Sequence, residues 1–259
     1  MHVVVDETDL YAEIRGDGDA VVLLHGFPFT HRIWDAAASA LAGEHRVVAP
    51  DLRGMGASGV TAGPYLMEQL AGDLAAMLDA LGIERATIVG HSLGGYVALA
   101  FARMYDARVA RLALVASRLV ADTPELAASR RELAARIEDE GTVEVALDRM
   151  LPRLLAPNNS AALLDVARAI ARENNPAGLA AVLRGMALRD DAHDIAGELA
   201  MPVTVIAGAE DPIVSIDEAG DIVRSFPNAE LVVLERVAHL PMLEDPLGLE
   251  RALRELLAR

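Results

Sequence analysis

The chain has 259 residues, 53% of them apolar, and a formal net charge of −16. That length and apolar content suit one globular α/β domain with a large core and room for an insertion, without a second independent domain. The acidic balance argues against nucleic acid and anionic membrane surfaces; the absence of cysteine removes disulfides and thiolate chemistry, and with all 23 basic residues arginine, Schiff-base catalysis is excluded.

In chain order, Met1–Asp6 lacks a basic region leading into an apolar stretch, and no apolar run approaches the about 20 residues of a membrane span, so a soluble, cytoplasmic protein is expected. After an N-terminal pair of strands, the runs Val21–Leu24, Val47–Ala49, Ala86–Val89, Leu112–Val115, Val203–Ala207 and Leu231–Leu234 predict buried strands. Near-continuous apolar runs of this kind belong to a mostly parallel sheet covered on both faces. Met67–Leu81 carries an apolar stripe at helical spacing and stops at Gly82. From Leu119 to Ala200 the strand signal disappears. Thr123-Pro124-Glu125 opens a first helix ending at Gly141; Thr142 starts a second toward Leu151-Pro152, Ser160 a third toward Glu173, and Pro176 a fourth toward Ala187.

The chemistry concentrates in Ile88–Gly95, a buried strand running through Gly90-His91-Ser92-Leu93-Gly94 into a helix. A serine at the apex of such a turn is exposed at the sheet's edge beside the positive end of the helix, which nominates Ser92 as a nucleophile. A nucleophilic serine needs a base and an orienting acid. His239 ends the strand-like Leu231–Leu240 segment, and Asp211 follows Val203–Gly208 at a strand-terminating Asp-Pro step. Glu210 rivals Asp211 as the acid, but alternation points it the other way. Oxyanion donors are expected from the backbone N–H groups of Leu93, next to the nucleophile, and Phe27, in the loop after an early strand.

The motifs His25-Gly26-Phe27-Pro28, Asp51–Ser58, Gly90–Gly95, Gly208–Asp211 and Ala238-His239-Leu240 occur in that order. Together they resemble an α/β-hydrolase of the small-cap esterase and enol-lactonase type, from Val3 to Leu257. The resemblance implies a mostly parallel sheet flanked by helices, with a core of residues 1–118 and 200–259 and a helical cap of residues 119–199. It implies ester or lactone hydrolysis without cofactor or metal, with Ser92, His239 and Asp211 as the triad. A small-molecule ester or lactone is the expected partner.

Competing readings are weaker. Gly54–Gly59 matches G-x-G-x-x-G, but no helix opens behind it, so a nucleotide loop is not expected. Asp51 and Arg53 read as structural partners. His25 and His91 read as loop-fixing groups, and His2, His31, His45 and His193 as surface or local packing residues. Phe27 and Tyr96 are the expected substrate-binding residues, with Phe29 and Trp34 as further aromatics for an acyl pocket. The apolar cap suggests small to medium neutral acyl esters. A lactonase would need a cation for a substrate carboxylate, from Arg149, Arg153 or Arg184. Perhydrolase activity and a slow-turnover signalling receptor complete the alternatives.

Overall fold

The computed structural model describes residues 1–5, 8–157 and 161–259. Its strands are β1 (His2–Val5), β2 (Thr8–Arg15), β3 (Asp19–Leu24), β4 (His45–Pro50), β5 (Ala86–His91), β6 (Val109–Val115), β7 (Val203–Gly208) and β8 (Ala229–Leu234). They form one sheet in the order β1-β2-β4-β3-β5-β6-β7-β8. The β1–β2 and β2–β4 pairs are antiparallel, and the rest of the sheet is parallel. All six apolar runs expected to be strands lie within β3 to β8, and β5 and β7 are buried at every position. Burial on alternate and intervening residues alike means that both faces are covered, which is why the runs are continuous rather than alternating.

The helices are α1 (Asp35–Leu41), α2 (Met67–Ala80), α3 (Leu93–Tyr105), α4 (Pro124–Glu140), α5 (Glu144–Met150), α6 (Ala161–Ala171), α7 (Pro176–Met186), α8 (His193–Ala196), α9 (Ile216–Ser225), α10 (Pro241–Glu244) and α11 (Pro246–Leu257). α2 packs against α3, and α1 against α11. Leu70, Leu74, Met77 and Leu78 form the buried stripe of α2, and Gly82 follows it at φ +67°, a left-handed stop open to glycine.

Among the described residues five helices, α4 to α8, intervene between β6 and β7. Thr123 caps α4 through its hydroxyl, which accepts from the Leu126 N–H, and Gly141 closes it at φ +62°. Leu133 and Ile137 are buried against the rest of this block, where α4 packs chiefly on α7. The expected start of the third of these helices, Ser160, lies outside the described residues; α6 is described from Ala161. The loops at the carboxyl ends of β3, β5, β7 and β8 carry Phe27, Ser92, Asp211 and His239 to one edge of the sheet, where open α/β sheets hold their ligands.

Candidate active site

The turn at Ser92 is built by backbone strain. Ser92 stands at φ 49°, ψ −111°, in a region that L-residues rarely occupy, between β5 and α3. A non-glycine residue there costs on the order of 1–3 kcal/mol, sustained only where the surroundings over-determine it. Those surroundings are specific. The Ser92 N–H donates to Val115 O at 2.9 Å, and Ser92 O accepts from Gly95 N and Ser117 Oγ, each at 2.9 Å. A Cβ at Gly90 would collide with the Gly94 carbonyl, and one at Gly94 with the Leu24 carbonyl, so strand and helix approach only because both positions are glycine.

His239 and Asp211 meet across 28 residues of sequence: His239 Nδ1 donates to Asp211 Oδ2 at 2.7 Å. Their side chains are 3% and 0% exposed. Asp211 Oδ1 accepts the N–H groups of Ile213 and Val214 at 2.8 and 3.2 Å, which orients the carboxylate and leaves its other oxygen for the imidazole. This fixes the His239 proton on Nδ1 and keeps a lone pair on Nε2. Glu210 is exposed and carries none of these bonds.

Ser92 and His239 open on one cavity of about 320 Å³, together with Phe27 and Tyr96. Both aromatics line it, whereas Phe29 and Trp34 are fully buried and do not. The first-turn N–H of Leu93 has no intrahelical partner by construction. Phe27 follows Gly26, whose carbonyl accepts from the Phe29 N–H at 2.9 Å and closes that loop.

Several residues that sequence reasoning left unassigned hold this arrangement. Glu244, at the end of α10, accepts the N–H groups of Ala238 and Leu240 at 3.1 and 3.0 Å, the two residues flanking His239, and that of Ala156 at 2.8 Å. The His239 N–H itself donates to Leu154 O at 3.1 Å. Asn174, 6% exposed, donates to Pro28 O at 2.8 Å and Ala171 O at 3.0 Å and accepts from Gly56 N at 2.9 Å. It thus ties the segment between α6 and α7 to the loop after Phe27. Arg118 donates to Ile213 O at 2.6 Å and pairs with Glu218 at 2.9 Å, bracing the loop that bears Asp211.

The other histidines fix loops. His25 donates from Nδ1 to Gly26 O and accepts the Leu52 N–H on Nε2, both at 3.1 Å. His91 donates from Nε2 to His239 O at 2.8 Å. Burial pulls His25 below the usual histidine range; for His91, burial and then the neighbouring His239 pull it well below. Each is therefore held neutral. Burial pushes Asp51 up, but bonds from the His31 ring and backbone N–H outweigh it and hold the carboxyl below its ordinary value. Arg53 pairs with Asp73 at 2.5 Å, and together with Asp51 it stitches the glycine-rich loop, which no helix follows until Met67.

The cavity wall combines Leu126, Leu133, Met150 and Met186 with Arg118, Arg130, Arg149 and Arg153. Arg184, also considered as a cation for a substrate, is instead paired with Glu138 at 2.5 Å and lies off this wall. Among the described residues no group of three or more histidine, aspartate or glutamate side chains is arranged to hold a metal ion.

A strained serine turn above a mostly parallel sheet, lining one cavity with a carboxylate-bound histidine, is the architecture of one class of hydrolases. The model of the alpha/beta hydrolase fold family matches residues 19–246, and the chain belongs to that family. Among curated proteins it is 32% identical over 253 residues to the pimeloyl-[acyl-carrier protein] methyl ester esterase of Chromobacterium violaceum, covering 95% of this chain and 97% of that one. A thermophilic esterase from Thermogutta terrifontis, solved with malate bound, superposes with a TM-score of 0.95 at 36% identity, over 100% of this chain and 98% of that chain. The enol-lactonase of Burkholderia xenovorans LB400 gives 0.92 at 25% identity, over 100% of both chains. Among the described residues no helix is long and apolar enough to cross a membrane.

Proposed function

We propose that this protein is a serine esterase that hydrolyses carboxylic esters of small to medium acyl groups through an acyl-enzyme, with the helical block of residues 119–199 acting as a cap. One observation carries the reading: the His239–Asp211 pair at 2.7 Å opens on the same cavity as the strained Ser92. In the first step His239 Nε2 takes the Ser92 proton as Oγ attacks the ester carbonyl. The tetrahedral oxyanion is held by the N–H groups of Phe27 and Leu93, each donor being worth about 10²- to 10³-fold in rate. Collapse breaks the C–O bond to the leaving alcohol, which receives the proton from His239. Water, deprotonated by the same imidazole, then releases the acid and restores Ser92. Asp211 keeps the ring's tautomer and stabilises the imidazolium.

A lactone is the same carbonyl chemistry with the leaving alcohol tethered, and the likeness to the enol-lactonase favours it as a second substrate class. The test is initial rates on p-nitrophenyl acetate, butyrate and octanoate with Ser92→Ala alongside. Fast turnover that falls by about 10⁴- to 10⁶-fold in the variant, with circular dichroism unchanged, is the expected result. Substantial residual rate would assign the chemistry to another group, and turnover on the scale of hours would favour a receptor over an enzyme.

A further inference from the structure

The connection from β6 into α4, residues 116–123, runs beside the one from α7 to α8, residues 187–192. Ala192 N donates to Leu119 O at 3.0 Å, and Ala121 N to Asp191 Oδ2 at 3.4 Å. A buried charge cluster sits at this junction. Asp122, whose side chain is 2% exposed, accepts from Arg189 Nη2 at 3.1 Å and from Arg130 of α4. One carboxylate therefore serves two guanidinium groups, and the Arg189 side chain, 3% exposed, lies too deep for solvent to take up the excess charge. Its Nε has no hydrogen-bond partner among the described residues.

What meets Arg189 instead is an aromatic face. Its Cζ lies over the Tyr96 ring, 4.0 Å from the centre, where the ring's negative quadrupole attracts a cation most strongly once both are desolvated. Tyr96 is itself buried, and its hydroxyl makes no hydrogen bond among the described residues, so the stacked guanidinium is what orients the ring. Standing on α3 four positions after Ser92, Tyr96 borders the cavity of about 320 Å³ at Ser92 and also a hollow of about 30 Å³ lined by Leu99, Ala100, Leu119 and Arg189. The hollow has room for about two water molecules, so the ring moves back from the cavity only if Arg189 yields. The cavity itself is at the small end for ligand sites, which run from about 300 to 1,000 Å³.

We propose that Arg189 is a specificity-determining positioning residue: anchored by Asp122 and stacked on Tyr96, it fixes that ring as a wall of the Ser92 cavity and restricts the site to short-chain esters. This rests on the esterase reading above and narrows its substrate class. Arginine suits the role because its planar guanidinium stacks on a ring while its edge still pairs with a carboxylate, a combination closed to lysine.

The experiment measures kcat/KM on p-nitrophenyl acetate, butyrate and octanoate, and on ethyl and hexyl butyrate. It uses the wild type, Tyr96→Leu, Arg189→Met and the double variant. Arg189→Met leaves Asp122 paired one-to-one with Arg130, so no buried carboxylate is orphaned. The wild type should favour the short esters. The long-to-short ratio should rise about tenfold in Tyr96→Leu and about 3- to 30-fold in Arg189→Met, whereas a merely structural arginine would lower Tm without moving the ratio. In the Tyr96→Leu background, Arg189→Met should change the ratio no further, as required of a residue that acts through the ring. A wild-type preference for the long esters, a ratio unmoved by Arg189→Met in both series, or effects that add in the double variant overturns the proposal while leaving the esterase standing. Turnover that survives Ser92→Ala instead fails the esterase reading. In that event, or if Arg189→Met does not fold, ¹⁹F NMR of protein labelled with 3-fluorotyrosine tests the clamp alone. The chain has four tyrosines, and Tyr96→Phe identifies the resonance. A Tyr96 line that shifts in Arg189→Lys supports the clamp, and an unmoved line overturns it.

Discussion

Asn174→Ala probes how far the helical block and the Gly26–Pro28 loop depend on one buried amide. The substitution deletes three hydrogen bonds, to Pro28 O, Ala171 O and Gly56 N. The Pro28 carbonyl is buried and the Gly56 N–H half-buried, so the first is orphaned outright while water reaches the second. An orphaned buried group costs about 1–3 kcal/mol, which puts the total at about 2–4 kcal/mol once partial hydration of Gly56 is allowed. For a chain of this size that lowers Tm by roughly 5–15 °C. Its neighbour provides the scale: Asn175 accepts only from Ala177 N as the cap of α7, so Asn175→Ala should cost about 1 kcal/mol. Because Pro28 follows Phe27, the Asn174 variant should also lower kcat on a p-nitrophenyl ester by about tenfold or more, bounded by the 10²- to 10³-fold of a lost oxyanion donor. Urea midpoints and steady-state rates on both variants decide the matter. Equal costs at Asn174 and Asn175 with kcat intact would refute the strut.

Acid should destabilise the fold from a higher pH than carboxylates alone would set. His25 and His91 both have folded-state pKa values below their unfolded ones, so the unfolded chain binds more protons. Stability is then complete above about pH 6.5 and declines as pH falls, by at most about 1.4 kcal/mol per unit for each histidine. Asp51, also depressed, adds a loss in the same direction further into acid. A Tm that stays flat between pH 7 and about 5 would contradict this assignment of neutral, buried rings. A separate prediction concerns the turn: with Ser92 at φ 49°, Ser92→Gly should be more stable than Ser92→Ala by about 1 kcal/mol, since only glycine occupies that region freely. Calorimetry on the two variants checks it, and equal stabilities would show that the turn stores no strain.

Much of the molecule was legible because burial on both faces writes itself into sequence. β5 and β7 read as continuous apolar runs since no position on them faces water. The cap of α4 was equally plain, because Thr123, Pro124 and Gly141 act within a turn of the residues they serve. Ser92 announced itself through glycines two positions to either side, a local requirement of the sharp bend. Helices α1, α9 and α11 went unassigned, although Ser215 caps α9 and Asp245 with Pro246 opens α11 by the same local chemistry that marks α4.

What only the tertiary structure decided depends on groups far apart in the chain. Asn174 is an ordinary asparagine until folding sets it against Pro28, 146 positions away, and Glu244 one more acid until Ala156 arrives at 2.8 Å. Arg149, Arg153 and Arg184 were equivalent cations in the sequence. Folding pairs Arg184 with Glu138, 46 residues off, and places the other two on the wall of the cavity at Ser92. Strand identity, helix caps and the serine turn are short-range consequences of backbone geometry and burial, so the sequence alone determines them. Which charges are paired and which are not is a long-range sum over the folded surface, and only the structure performs it.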